Sequence, residues 1–215
     1  MSRVVSFSPS RNLSVQRSYY DRYVFPIGNP RIAAKGSPSE GLLLRCNAAG
    51  AMKFVWILGY TTCEPNAGWE LLPKEQVGRT WIGDTEPQSV LAGVWIDDSP
   101  ETQMVSKFEY SPPSPLTHNG KPRLEWKPGP KLKVQISGSE AVPMYGILGN
   151  VNGLLSLAMH LVTLAQSEIP EGTTISYSPG KDLERSSLPL ALEKARFDEN
   201  VPWERNTNRE STQKP

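Results

Sequence analysis

The strongest constraint on the fold is a change in the spacing of apolar residues between residues 131 and 193. Apolar and polar side chains alternate over residues 131–137, which predicts a strand with one face in the core. Apolar residues then recur at helical spacing over residues 151–166, which predicts an amphipathic helix. Further strands are predicted at residues 172–177 and 187–193. This order predicts a βαββ unit whose helix covers one face of a sheet.

Polar and turn-forming residues define the limits of this unit. Asn150 or Asn152 can cap the helix, and a glycine-containing loop through Gly146 and Gly149 is predicted before it. Pro189 cannot donate a backbone hydrogen bond, which predicts an edge position or a bulge for the last strand. The helix side opposite the leucines is predicted to face solvent and carries Ser156, His160, Thr163 and Ser167.

Residues 1–110 are predicted to be a β-rich part of the chain. The 20 prolines and 17 glycines favour short strands and long loops. The run at residues 53–60 is almost continuously apolar and aromatic, which predicts a strand covered on both faces. Other predicted strands cover residues 42–46, 80–82, 90–96 and 104–110. No internal repeat is evident in the sequence.

Residues 111–130 interrupt the pattern with closely spaced prolines and are predicted to be a linker or a long surface loop. They separate the β-rich part from the βαββ unit at residues 131–197. Residues 198–215 have few apolar side chains and are predicted to be a disordered tail. The predicted fold class is α+β: a mostly antiparallel or mixed sheet with one main helix. The sequence leaves open whether the two parts share a sheet.

The overall charge argues against two kinds of partner. A formal net charge of +1 gives no extended field that would gather nucleic acid or an anionic membrane. No run approaches the roughly 18 apolar residues of a membrane-spanning helix. The N-terminus is rich in arginine and serine, and is interpreted as an irregular terminus or edge strand, with an organellar targeting segment as the alternative.

Cys46 and Cys63 are too few for a disulfide framework or a zinc site. Cys46 ends an apolar run, which predicts a buried free thiol, with a disulfide between the two as the alternative. A reducing, cytoplasmic location follows from the first interpretation.

The sequence contains no motif for catalysis, cofactor binding or metal binding, and no such site is predicted. His118 lies in the proline-rich segment and His160 on the predicted wet face of the helix, without the spacing of a metal site. The glycines before the helix do not match a phosphate-binding loop.

The candidate partner-binding residues are aromatic and acidic. Trp69 and Trp81 flank loops, whereas Trp56 and Trp95 lie in strands that look buried and are assigned to the core. An acidic cluster that follows the strand at 90–96 is interpreted as a solvated turn, with a contact for a basic partner and acid–base catalysis as the alternatives. This cluster consists of Asp97, Asp98 and Glu101.

Residues 149–195 resemble a family of small bacterial immunity proteins from polymorphic-toxin systems. The family pattern opens a helix with an Asn-x-x-Gly-Leu-x-x-Leu-Ala type motif, and the matching residues here are Asn150, Gly153, Leu154, Leu157 and Ala158. The resemblance implies a cytoplasmic protein that binds and blocks a cognate protein toxin and catalyses no reaction of its own. Residues 1–130 show no match to this family.

Two other functions remain open. The tryptophans favour a β module that binds a small molecule or a carbohydrate. The remaining alternative is an enzyme of unrecognised type that uses His118 with nearby acids.

Overall fold

The computed structural model describes residues 5–7, 30–62, 68–71, 91–96, 108–139 and 142–197. The predictions for the strand at 80–82, for Cys63 and for the tail at 198–215 concern residues outside this part of the chain. The first elements are β1 (Val5–Phe7), β2 (Ile32–Ser37), β3 (Gly41–Cys46), α1 (Ala48–Thr61), β4 (Gly68–Leu71) and β5 (Leu91–Ile96). They are followed by β6 (Phe108–Tyr110), β7 (Thr117–His118), β8 (Lys121–Pro122), β9 (Leu132–Ser139), β10 (Val142–Gly149), α2 (Val151–Ala165), β11 (Thr174–Tyr177) and β12 (Leu190–Lys194).

The fold class is α+β, as predicted, and its two main sheets have four strands each. Sheet 1 has the order β11-β12-β3-β2, and sheet 2 has the order β4-β5-β10-β9. The central pairs β12–β3 and β5–β10 are parallel, and the outer pairs are antiparallel. Each sheet therefore takes two strands from residues 1–110 and two from residues 131–197, so the two parts of the chain share both sheets.

The two sheets have the same construction because the chain repeats one order of elements. A first repeat (β1 to β5, with α1) and a second repeat (β6 to β12, with α2) each contain a leading strand, a hairpin, a helix and two further strands. The second repeat has in addition the short hairpin β7–β8 after its leading strand. The leading strands β1 and β6 pair antiparallel with each other. The last strand of each repeat crosses to the hairpin of the other repeat, so the two repeats exchange strands.

The start of each helix shows the repeat in atomic detail. The Asn47 side chain accepts hydrogen bonds from the backbone N–H groups of Gly50 and Arg31, at 2.7 and 3.0 Å. A Cβ at Gly50 would overlap the Arg31 carbonyl group, so only glycine fits there. The second repeat makes the same contacts with Asn150, Gly153 and Lys131. The repeat escapes sequence inspection because few residues besides this Asn-x-x-Gly motif recur and the second hairpin has longer strands.

Both helices lie in the interior. α1 and α2 pack against each other, and each contacts strands of both sheets. The prediction of α2 is confirmed to within one residue, but the predicted strand at 53–60 is wrong, because these residues belong to α1. A helix that is apolar on all sides has the same continuous apolar sequence as a buried strand. Among the described residues, neither helix combines the length and apolarity needed to cross a membrane.

Two predictions in the second repeat also need correction. Residues 142–149, predicted as part of a glycine-containing loop, form the interior strand β10 between β9 and β5. β12 is likewise interior, between β11 and β3, although Pro189 had suggested an edge. Pro189 lies just before β12, where its carbonyl oxygen accepts a hydrogen bond from the Leu42 N–H at 2.9 Å, so no ladder donor is lost.

Candidate functional site

The polar row on α2 is buried, which overturns the prediction of a solvent-facing side. Ser156, His160 and Thr163 are each 0% exposed, and of the predicted wet residues only Ser167 is exposed. Most of the cover is the segment at residues 111–131, which contains the proline-rich residues 111–130 and which we call the strap. Tyr110, directly before it, contacts Thr163. The strap forms the β7–β8 hairpin and then follows α2 back to the start of β9.

Two hydrogen bonds occupy both ring nitrogens of His160. Nε2 lies 2.9 Å from the carbonyl oxygen of Glu125 in the strap, and Nδ1 lies 2.9 Å from the Tyr177 hydroxyl group. A carbonyl oxygen can only accept, so Nε2 carries the hydrogen and Nδ1 accepts from Tyr177. The Trp126 ring meets the His160 ring edge-on, with 4.7 Å between the centroids. The imidazole is therefore neutral and fully bonded.

Burial shifts the pKa values of this pair in opposite directions. It lowers the pKa of His160 to about 4 and raises the pKa of Tyr177 well above its ordinary value. Both groups are neutral near pH 7, and neither imidazole nitrogen has a free position for a metal or a substrate. Within the described residues, no three His, Cys, Asp or Glu side chains cluster as a metal site. The His160 cluster is thus suited to joining the strap to the core.

The other polar side chains of α2 are also hydrogen-bonded, two of them to the strap and Thr163 to Tyr110 of β6. The Lys127 N–H donates to Ser156 Oγ at 2.9 Å, and Asn152 Nδ2 donates to the Pro128 carbonyl oxygen at 2.8 Å. Near the other end of α2, the hydroxyl groups of Tyr110 and Thr163 are 3.1 Å apart. These bonds explain why a buried helix has a polar side.

Cys46 is a free, buried thiol, as predicted. Burial raises the pKa of this thiol to about 12, and the Sγ–H group donates to the Glu193 carbonyl oxygen at 3.8 Å. A thiol that stays protonated and enclosed is a poor nucleophile.

Of the predicted partner-binding residues, one lies in the described part of the chain. Trp69 belongs to β4, where it is opposite Val94 of β5. The others lie outside the described residues, so the structure does not bring the set together: Trp81, Asp97, Asp98 and Glu101. Asp97 directly follows Ile96, the last residue of β5.

The outer face of sheet 2 carries an aromatic ring that the sequence had assigned to the core. Trp95 is partly exposed, and its ring lies over Gly93 of its own strand, where a Cβ would overlap it. A Cβ at Gly146, on the neighbouring strand, would lie 3.0 Å from the ring and 3.3 Å from Leu148. We call Trp95, Gly93, Gly146, Leu148 and Met144 the Trp95 platform. Because Gly93 and Gly146 have no Cβ, the ring can approach the backbone closely.

Sheet 1 provides an internal comparison for this platform. Trp95 pairs with Leu148, and the corresponding pair in sheet 1 is Glu193 with Arg45. The two pairs correspond because Leu148 and Arg45 each lie two residues before the asparagine that caps the following helix. Arg45 Nε and Glu193 Oε1 form an ion pair at 3.1 Å, as expected on a solvated sheet face. The same scaffold position therefore carries a charged pair in one sheet and an apolar pair in the other.

No family model matches this chain, and no match is found among curated proteins or solved structures. The chemistry of the two outer faces is therefore the main guide to function. A partly exposed indole ring with a rigid backing can contact an apolar side chain or a flat ring.

Proposed function

We propose that this protein acts by binding another protein, and that it is an immunity protein that binds and neutralises a cognate bacterial toxin in the cytoplasm. The Trp95 platform is the observation that carries the proposal. The resemblance of residues 149–195 to immunity proteins supports the choice of a toxin as partner.

The platform has the properties of an interface anchor. Tryptophan is enriched among residues that dominate binding energy, and such residues lie in rigid, well-packed surroundings. The Trp95 ring lies against Gly93 and Gly146, and Leu148 is its register partner on the neighbouring parallel strand. Its ring loses little conformational freedom when a partner docks, which favours affinity.

The test uses the product of the gene next to the one that encodes this chain. Co-expression should relieve its toxicity, and calorimetry with the purified proteins should show a stable complex. Trp95→Ala should weaken the complex by at least about tenfold, a typical loss for an anchor residue. Thr174→Ala, on the outer side of sheet 1, is the matched control and should bind like the wild type. Absence of both rescue and binding would reject the proposal.

A carbohydrate ligand is a second candidate, because a flat indole can also stack on a sugar ring. Titration with a glycan panel, followed by tryptophan fluorescence, separates the two. A glycan that saturates the wild type but not Trp95→Ala, without any protein partner, would favour this second candidate.

A further inference from the structure

Positive charge borders the Trp95 platform on one side. Leu148 pairs with Trp95 on one side and with Lys133 of β9 on the other, so the three residues form a row across sheet 2. Neighbouring strands lie about 4.8 Å apart, which places the backbone of Lys133 about 10 Å from that of Trp95. A single partner segment can therefore contact the ring and the lysine together.

The positive charge continues from β9 into the strap. Residues 117–133 contain one acidic residue, Glu125, against a larger basic set: Lys121, Arg123, Lys127, Lys131 and Lys133. Lys131 is exposed, and Lys127 and Lys133 are partly exposed. Within the described part of the chain, these three lysines form no ion pair. Their charge is available to an incoming group.

The corresponding row of sheet 1 has neither the apolar pair nor the lysine without an ion-pair partner. Arg45 is balanced by Glu193, and the position equivalent to Lys133 is Ala33, which pairs with Arg45. In the row that contains Trp95, Lys133 therefore has no balancing carboxylate, whereas Arg45 in the equivalent row of sheet 1 has one. Interfaces match such a surface with the opposite charge around an apolar contact.

We propose that the outer face of sheet 2 recognises an acidic segment of the partner protein, whose apolar side chain sits on Trp95 and Leu148 and whose carboxylates face Lys133 and Lys131. The inference rests on the proposed protein-binding function and specifies the chemistry of the partner. It predicts binding that weakens as salt rises, because the charged rim is exposed to solvent.

The test measures two probes against the full chain. One is the product of the adjacent gene. The other is a fluorescent peptide with a central Trp-Leu pair flanked by glutamates, compared with the same peptide carrying glutamines. Lys133→Glu should weaken both the protein complex and the acidic peptide complex by about tenfold. Lys35→Glu, an exposed lysine of β2 in sheet 1, makes the same charge change and should have no effect.

The outcomes separate this inference from the proposed function. If Trp95→Ala abolishes binding of the adjacent gene product but Lys133→Glu leaves it unchanged, the protein-binding function stands and the acidic partner is rejected. If the acidic peptide binds and the adjacent gene product does not, the surface stands and the toxin is rejected. Stronger loss from Asp97→Lys or Asp98→Lys than from Lys133→Glu would overturn the inference in favour of a basic partner. Tighter binding of a single-stranded RNA 15-mer than of the acidic peptide would replace the protein with a nucleic acid.

Discussion

The helical spacing around His160 is predicted correctly, but its exposure is not, because the side chain is buried. Its spacing from Ser156 and Thr163 marks the polar side of a helix, and an isolated amphipathic helix would turn that side to solvent. The covering groups come from the strap, at Glu125 and Lys127, which local periodicity does not link to α2. The hydrogen bonds that neutralise the polar row are therefore visible only in three dimensions.

The buried, neutral His160 predicts acid sensitivity of the fold. Its pKa falls from 6.5 to about 4 on folding, so the unfolded chain binds its proton first as pH drops. Stability is then complete above pH 6.5 and is lost between pH 6.5 and 4, by roughly 3 kcal/mol from this group. His160→Gln should remove this part of the loss in urea unfolding measured between pH 7 and 4. His118→Gln, at an exposed position, should retain it; equal pH profiles for His160→Gln and wild type would contradict the assignment.

The error for Trp95 is the reverse: the sequence predicts a core residue, and the structure shows a partly exposed ring. The strand 90–96 is correctly predicted, but a continuous apolar run hides which residues share a face. Side chains alternate between the two faces of a strand, so Trp95 and Gly93 share one face while Ala92, Val94 and Ile96 share the other. This alternation was the signal in the sequence that the Trp95 ring could lie over Gly93. The contribution of Gly146 depends on the parallel pairing of β10 with β5, which lies beyond local sequence.

At the scale of elements, the sequence predicts strands and helices where the period is clear and fails where burial erases it. α2 has about one polar residue per turn, and β9 has one polar residue in every pair. Both elements are predicted close to their observed limits. Between Ala49 and Gly59, α1 has a single polar side chain, Lys53, so its sequence shows no polar side. The Asn-x-x-Gly cap at Asn47 was the signal that could have identified this helix.

Several hydrogen bonds join the strap to α2, and their contributions can be tested one bond at a time. Ser156→Ala removes the acceptor of the Lys127 N–H, which should speed amide hydrogen exchange in strap peptides around residues 123–129. The global stability should fall by about 1 kcal/mol, the typical value of one such bond. Ser167→Ala, at an exposed position two residues after the end of α2, should leave the exchange of these peptides unchanged. Unchanged exchange in Ser156→Ala would show that other contacts suffice to hold the strap.

For the whole molecule, the exchange of strands between the two repeats has a thermodynamic consequence. Each sheet is complete only when both repeats are folded, because β12 pairs with β3 and β5 pairs with β10. The two helices also bury their faces against each other and against both sheets. One repeat without the other would leave strand edges and apolar faces exposed, so the described fold should unfold as one cooperative unit.

Two core substitutions in different repeats and different sheets test this cooperativity. Val94 belongs to β5 in sheet 2 and Leu192 to β12 in sheet 1, and both are 0% exposed. Leu192→Ala should cost about 2–5 kcal/mol and Val94→Ala somewhat less, since fewer buried atoms are removed. In urea, far-UV circular dichroism and tryptophan fluorescence should report the same single transition for both variants, shifted to lower denaturant. Thr174→Ala, on the exposed side of β11, should shift it little. Two separate transitions, each shifted by only one of the substitutions, would mean that the repeats unfold independently. That result would contradict the cooperativity expected from the exchange of strands.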